Sequence, residues 1–266
     1  MNSDFLLQRR LRLARQLSLD DAILLIGAGE PIPLPEGSDQ TYPFRAHADY
    51  VYAAGIECAS GVVAFDPRDG AQAGWRSFVP QVTESERVWE GRTQVDGSTL
   101  GALKPWLEAR RGRPLAALGA RIAGSEPDIA RSAKIREEFL HARRPKDDHE
   151  LSLLRRAVAA TAAGYARLPE LIRPGRTERA VQIELEAEFF RHGGTRTGYG
   201  SIVGAGSNAA ILHFEPSSRV IREGDFVLID AGAEVDRYLA DVTRTFVAGK
   251  PSAFQRDLYR IVLATE

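Results

Sequence analysis

Residues 226–249 read FVLIDAGAEVDRYLADVTRTFVAG and carry two aspartates, Asp230 and Asp241, in apolar, β-rich surroundings. Residues 235–237 are expected to form a turn, so the flanking segments are predicted to pair as an antiparallel hairpin. The two aspartates are then close in either plausible register. Because a shift of one residue turns every side chain to the opposite face, the sequence leaves open whether both share a face.

Aspartate is uncommon inside strands, because its short charged side chain packs poorly there and competes for backbone hydrogen bonds. Two neighbouring carboxylates also repel each other, and burial of an unpaired charge is costly. A divalent cation removes both costs, since carboxylate oxygens are good ligands for such ions. The alternative is that one aspartate caps the turn and the other pairs with Arg237 or Arg244.

Composition excludes several classes of protein. The 266 residues suggest one large domain or two ordinary ones, and a net charge of −1 gives no reason to expect nucleic acid or a membrane surface as partner. With Cys58 as the single cysteine, a disulfide framework is impossible and a reducing cytoplasm is the expected location. The longest apolar runs fall well short of the roughly 20 residues that a membrane span needs.

The order of predicted elements divides the chain in two. Residues 1–143 alternate strands with helices, which is typical of an α/β domain, and include a predicted strand at Tyr50–Ala53 and a predicted helix at Ser98–Arg110. Pro145 breaks the pattern, and residues 144–266 then run helix, helix, strand and hairpin. Asp147 with Glu150 predicts a capping box at the start of the first of these helices.

The segment LIDAGAEVDRYLADVTRTF closely resembles the metal-binding hairpin of the pita-bread metallopeptidases, in particular the branch that contains aminopeptidase P and prolidase. Further segments resemble the same family: SIVGAGSNAAILHFEP, RRPKDDHELSLLRRAVAAT, YPFRAHADYVYAAGIE and ERVWEGRT. The resemblance implies a creatinase/prolidase-type α/β N-terminal domain, residues 1–143, followed by the first half of a pita-bread α+β catalytic domain, residues 144–266.

By position, the resemblance makes Asp230 and Asp241 ligands of two divalent metal ions, with Mn²⁺ favoured by oxygen-rich ligation and Co²⁺ or Zn²⁺ as alternatives. It places His213 as the active-site histidine. It also places Asp49 and Trp89 among the substrate-binding residues, with the tryptophan reaching the site of a neighbouring subunit in a homo-oligomer. Core packing is the competing interpretation of Trp89.

The implied activity is removal of one residue before proline by a hydroxide that the two metal ions activate. The compact N-terminal domain favours an Xaa-Pro dipeptidase (prolidase), and aminopeptidase P acting on longer peptides is the alternative. The family's remaining ligands, one His and two Glu, come from sequence that follows the second aspartate at a distance. This chain alone is therefore expected to be inactive and to need a C-terminal fragment of the same protein as partner.

Two rival functions use the same fold. A creatinase-like hydrolase of C–N bonds works without metal and lacks the ligand aspartates. A non-catalytic binding module, as in histone-chaperone subunits, also loses them and is usually part of a larger acidic chain. The presence of Asp230 and Asp241 and the near-neutral charge argue against both rivals.

Overall fold

The computed structural model describes residues 3–35 and 38–265 and divides into two compact units, Met1–Pro145 and Lys146–Glu266. The α-helices of the N-terminal unit are α1 (Ser3–Gln16), α2 (Ala48–Ala54), α3 (Glu84–Glu90), α4 (Leu103–Glu108) and α5 (Ile129–Arg143). Its strands are β1 (Ile23–Gly27), β2 (Val62–Phe65), β3 (Trp75–Val79), β4 (Ser98–Thr99) and β5 (Leu115–Gly119).

These strands form one sheet in the order β4-β3-β2-β1-β5, in which β1 is parallel to β5 and antiparallel to β2. Every residue of β1 is buried, because both faces of the sheet are covered. One face packs Leu24 and Ile26 against residues of α1, α2 and α5. The other face packs Ile23 and Leu25 against apolar residues of α4. Burial on both faces explains why β1 is a continuous apolar run.

Two predicted elements of this unit are wrong. Residues 50–53 belong to helix α2, which begins after His47, whose ring accepts a hydrogen bond from the Asp49 amide, and ends at Gly55. The aromatic residues favour a strand only weakly, and burial of Tyr50 and Tyr52 in the core outweighs that preference. Within the predicted helix 98–110, Ser98–Thr99 is strand β4 and only Leu103–Glu108 is α-helical.

The second unit contains helices α6 (Asp148–Leu171), α7 (Glu178–Arg191) and α8 (Ala253–Leu263). Its strands are β6 (Arg196–Thr197), β7 (Ile202–Ala205), β8 (Phe226–Ala231), β9 (Ala233–Val235), β10 (Tyr238–Leu239) and β11 (Val242–Val247). They form two three-stranded antiparallel sheets, in the orders β10-β9-β6 and β11-β8-β7. The predicted capping box of Asp147 and Glu150 is present at the start of α6.

Helices α6 and α7 pack together and cover one face of the strands. Contact between the helices is close at Gly164, where a Cβ atom would lie 2.6 Å from the Phe189 ring. This small-residue contact sets the buried face of α6: Leu153 and Ala157 are buried, whereas the apolar Val158 is 54% exposed. Among the described residues, no helix is both long and apolar enough to cross a membrane.

The N-terminal unit contains a buried ion pair that allows a test of its stability. Asp66 is 2% exposed, and Arg113 donates to both its carboxylate oxygens at 2.7 Å, while Arg110 Nε donates to Oδ2 at 2.6 Å. These hydrogen bonds, those from Arg113 foremost, hold the pKa of Asp66 well below its ordinary value.

We expect Asp66→Asn to lower the free energy of unfolding by about 3 kcal/mol, because it takes the buried carboxylate away from the half-buried guanidinium groups of Arg110 and Arg113. A depressed folded-state pKa stabilises the fold above the unfolded-state pKa of about 3.9, and this contribution is lost as the pH falls below it. Urea unfolding between pH 3 and 7 checks both statements. Asp69→Asn, at a more exposed ion pair, is the control and should lower the free energy of unfolding by less than about 1 kcal/mol. Equal effects of the two variants would contradict the stabilising role of the Asp66 ion pair.

Candidate active site

The register of the hairpin is set by pairing between β8 and β11, in which Thr243 lies opposite Asp230 and Val242 opposite Ala231. The connection reverses through a turn at Asp236 and Arg237, whose φ angles are positive, 48° and 77°. On β8, Val227, Ile229 and Ala231 are buried, whereas Asp230 alternates with them and is half-buried. Asp230 therefore projects from the face opposite the one that packs against the core.

Gly232 allows the two halves of the hairpin to come close beside the aspartates. A Cβ atom at this position would lie 1.7 Å from the carbonyl oxygen of Ala240, the residue before Asp241. Any other residue would push the second aspartate away from the first. The glycine of the DAG sequence thus has a direct role in bringing Asp230 and Asp241 together.

The hydroxyl of Tyr199 joins the two carboxylates. Its oxygen lies 2.5 Å from Asp230 Oδ1 and 3.0 Å from Asp241 Oδ1. The distance between these two carboxylate oxygens therefore cannot exceed the sum of the two contact distances. Burial and the two neighbouring carboxylates raise the pKa of Tyr199, which keeps the phenol protonated at neutral pH. A single phenolic proton can satisfy only one of the two carboxylates at a time.

The aspartate pair opens into a cleft of about 630 Å³ in the second unit. His213 lies in the same cleft, on the exposed segment that connects β7 to β8. The structure therefore brings together three of the residues that the sequence selects, Asp230, Asp241 and His213. Arg179 and Glu215 also line the cleft.

The other two predicted site residues lie in the N-terminal unit. Asp49 is in the first turn of α2, is 4% exposed, and accepts a hydrogen bond from Arg143 Nη1 at 2.7 Å. Trp89 lies on α3 and is 82% exposed. This exposure excludes core packing within the unit as the reason for the tryptophan.

The donor set of the cleft fits a divalent cation. Two carboxylates that share one phenolic proton leave net negative charge at one point, and oxygen donors are the ligands that Mn²⁺ and similar ions accept. Within residues 3–35 and 38–265, no group of three or more His, Cys, Asp or Glu side chains could enclose a metal ion. The described residues therefore supply part of a metal site, and two carboxylates alone bind a transition metal weakly.

Sequence reasoning missed Tyr199 and Glu178. No motif marks Tyr199, and only the pairing of Ile202 with Asp230 brings its segment to the aspartates. Glu178 lies in an ordinary helical sequence, yet it is fully buried next to the segment that carries His213. Neither role has a local sequence signal, because both depend on contacts between distant segments.

Comparison with known proteins identifies both units. Residues 6–99 match the family model of the aminopeptidase P N-terminal domain, and residues 152–266 match that of metallopeptidase family M24. The chain is 30% identical to the Xaa-Pro aminopeptidase of Escherichia coli, over 96% of this chain and 65% of that protein. It is 31% identical to Xaa-Pro aminopeptidase 2 of Streptomyces coelicolor, over 88% of this chain and 57% of that protein.

Solved structures agree with these matches. The aminopeptidase PepP of Pseudomonas aeruginosa superposes with a TM-score of 0.79 at 27% identity, covering 99% of this chain and 66% of that one. A zinc-substituted E. coli aminopeptidase P in complex with product also gives 0.79, at 26% identity and with 99% and 67% coverage. Residues 152–266 thus belong to metallopeptidase family M24, and residues 6–99 form an N-terminal domain of the aminopeptidase P type. The fold that the resemblance implied is thereby confirmed, and the chain spans 65% of the length of its E. coli relative.

Proposed function

We propose that the protein is a metal-dependent exopeptidase that removes the N-terminal residue from peptides with proline in the second position, an Xaa-Pro aminopeptidase. The observation that carries this proposal is the pairing of Asp230 and Asp241 on the hairpin, inside a cleft that also contains His213. The names of the relatives support an aminopeptidase over the dipeptidase that the compact N-terminal domain favours. The Xaa-Pro dipeptidase remains the second candidate.

The proposed cofactor is a pair of divalent ions, Mn²⁺ by preference because of the oxygen-rich donors, with Co²⁺ or Zn²⁺ as alternatives. One solved E. coli relative is named as zinc-substituted. Bound metal supplies Lewis-acid chemistry for hydrolysis of the peptide bond. Asp230 and Asp241 hold the metal, and Tyr199 orients their carboxylates through its hydroxyl.

His213 has the remaining chemical task in this mechanism. The proline nitrogen is a tertiary amide nitrogen and must gain a proton before it can leave. An imidazole in the cleft can donate a hydrogen bond to the developing oxyanion or deliver that proton to nitrogen. The exposed position of His213 on a connecting segment leaves its ring accessible to a peptide in the cleft.

Further ligands, one His and two Glu, are proposed to come from a C-terminal segment of the same protein. Two features support this: the chain spans 65% of its E. coli relative, and α8 exposes apolar side chains such as Phe254 (73%) and Ile261 (64%). The exposed Trp89 supports the proposal that it reaches a neighbouring subunit of a homo-oligomer, and Asp49 is proposed to contribute to substrate binding. The proposed location is the cytoplasm.

Peptide length tests this function directly. We expect the full-length gene product, stripped of metal and reloaded with Mn²⁺, to release alanine from Ala-Pro-Ala, with no release from Ala-Ala-Ala. The ratio kcat/KM for Ala-Pro-Ala should exceed that for Ala-Pro by at least about tenfold, and EDTA should abolish both activities. Preference for Ala-Pro would establish the dipeptidase instead, and hydrolysis of none of these peptides would favour a non-catalytic binding module.

A further inference from the structure

Glu178 is a buried carboxylate that the proposed chemistry does not use. It occupies the first turn of α7 and is 0% exposed. Burial of an ionised carboxylate is costly unless hydrogen bonds and charge compensate it. Its position at a helix N-terminus, where the partial positive charge of the helix favours an anion, explains part of the compensation.

Four hydrogen bonds supply the rest of the compensation for burying Glu178, two to each carboxylate oxygen. Oε1 accepts from the Ala205 amide at 2.8 Å and from Asn208 Nδ2 at 2.9 Å. Oε2 accepts from the Ser217 amide at 3.2 Å and from its hydroxyl at 2.6 Å. Hydrogen bonds to a charged group are stronger than those between neutral groups, so the Glu178 carboxylate is held strongly at each of its two oxygens.

These donors lie at the two ends of one segment. Ala205 is the last residue of β7, and Ser217 lies beyond His213 on the way to β8. Backbone hydrogen bonds reinforce the second end, since the amides of Glu178 and Arg179 donate to carbonyl oxygens of Arg219 and Ser217 at 3.1 and 3.0 Å. The carboxylate thus spans the base of the 206–216 segment, with one oxygen for each end.

The middle of the segment has little packing to hold it. Ile211 and Leu212 are 52% and 86% exposed, and His213 is exposed as well. Residues 211–213 bury no apolar side chain, and the nearest buried one, Pro216, lies at the far end of the segment, so this exposed middle depends on the ends for its position. The geometry points to Glu178 as a positioning residue, which fixes the segment that carries His213 in the cleft of the aspartate pair.

This inference rests on the proposed role of His213, and Glu178→Gln tests it with minimal change of shape. Glutamine keeps one acceptor oxygen but presents an amide N–H to the donors at the other end, which leaves that end unsatisfied. The matched control is Glu184→Gln on the same helix, whose side chain does not reach the segment in the hydrogen bonds that the structure gives. Ser217→Ala, which removes one donor only, is the milder variant.

In the full-length metal-loaded protein, we expect Glu178→Gln to lower kcat by about 10- to 100-fold with KM and metal content nearly unchanged, since a misplaced catalytic group costs rate rather than binding. Ser217→Ala should lower kcat by about threefold, and Glu184→Gln should leave it unchanged. In NMR spectra of the same protein loaded with diamagnetic Zn²⁺ and labelled with ¹⁵N-histidine, the ring signals of His213 should shift or broaden, while those of the other histidines among residues 1–266 stay in place.

Wild-type kcat together with an unchanged His213 signal in Glu178→Gln would overturn the inference. So would equal shifts of the other histidine signals, which would show that Glu178 serves the fold in general. If Glu178→Gln does not fold, Ser217→Ala decides by the same two measurements. If the wild-type protein hydrolyses no Xaa-Pro peptide, the proposed function fails, whereas the His213 signals still show whether Glu178 positions the segment.

Discussion

Asp241→Asn in the full-length protein should lower the affinity for Mn²⁺ by at least about 100-fold and remove most of the peptidase activity. The carboxylate supplies both charge and a donor oxygen to the site, and replacement of even an outer partner of a metal ligand costs 10- to 100-fold. Titration calorimetry of the metal-free protein and metal analysis after purification measure the loss. The fold should survive, because Asp241 is exposed and the core face of the hairpin is untouched.

Asp236→Asn is the matched control for this prediction. It makes the same chemical change in the turn of the same hairpin, where the φ of 48° is one that asparagine tolerates well. Metal content and turnover should equal those of the wild type. Equal metal content in Asp241→Asn and the wild type would show that the two aspartates have a structural role, such as pairing with arginine.

His213→Ala should lower kcat by about 100-fold without change in metal content, because it removes a group positioned for proton transfer or oxyanion stabilisation. Steady-state kinetics on Ala-Pro-Ala, with metal analysis of the same sample, measures both quantities. His141→Ala, on the exposed surface of α5 in the N-terminal unit, controls for loss of a histidine. Normal turnover in His213→Ala would show that His213 is a surface residue without a catalytic role.

Much of the site could be predicted from sequence because the hairpin is local. The turn at 235–237, the apolar strands and both aspartates lie within one short stretch, and the alternation along β8 identifies its buried face. The register could not be predicted. It depends on Gly232, which admits the Ala240 carbonyl oxygen, and on the pairing of Thr243 with Asp230.

Longer-range features were less predictable for physical reasons. Helix α2 contains Tyr50 and Tyr52, whose strand preference is overridden by their burial in the core of the N-terminal unit. The buried face of α6 is set by Gly164 against Phe189, a contact with another helix that apolar spacing on α6 alone does not reveal. Tyr199 meets the aspartates only because β7 pairs with β8.

Crystals of the full-length protein grown with Mn²⁺, measured at the manganese absorption edge, would locate the metal directly. An anomalous peak within about 2.5 Å of carboxylate oxygens of both Asp230 and Asp241 is the predicted result. Such a metal would be held by the two carboxylates that the Tyr199 hydroxyl joins in this structure. Absence of a peak at the hairpin from metal-loaded crystals of active protein would contradict the assignment of this pair as metal ligands.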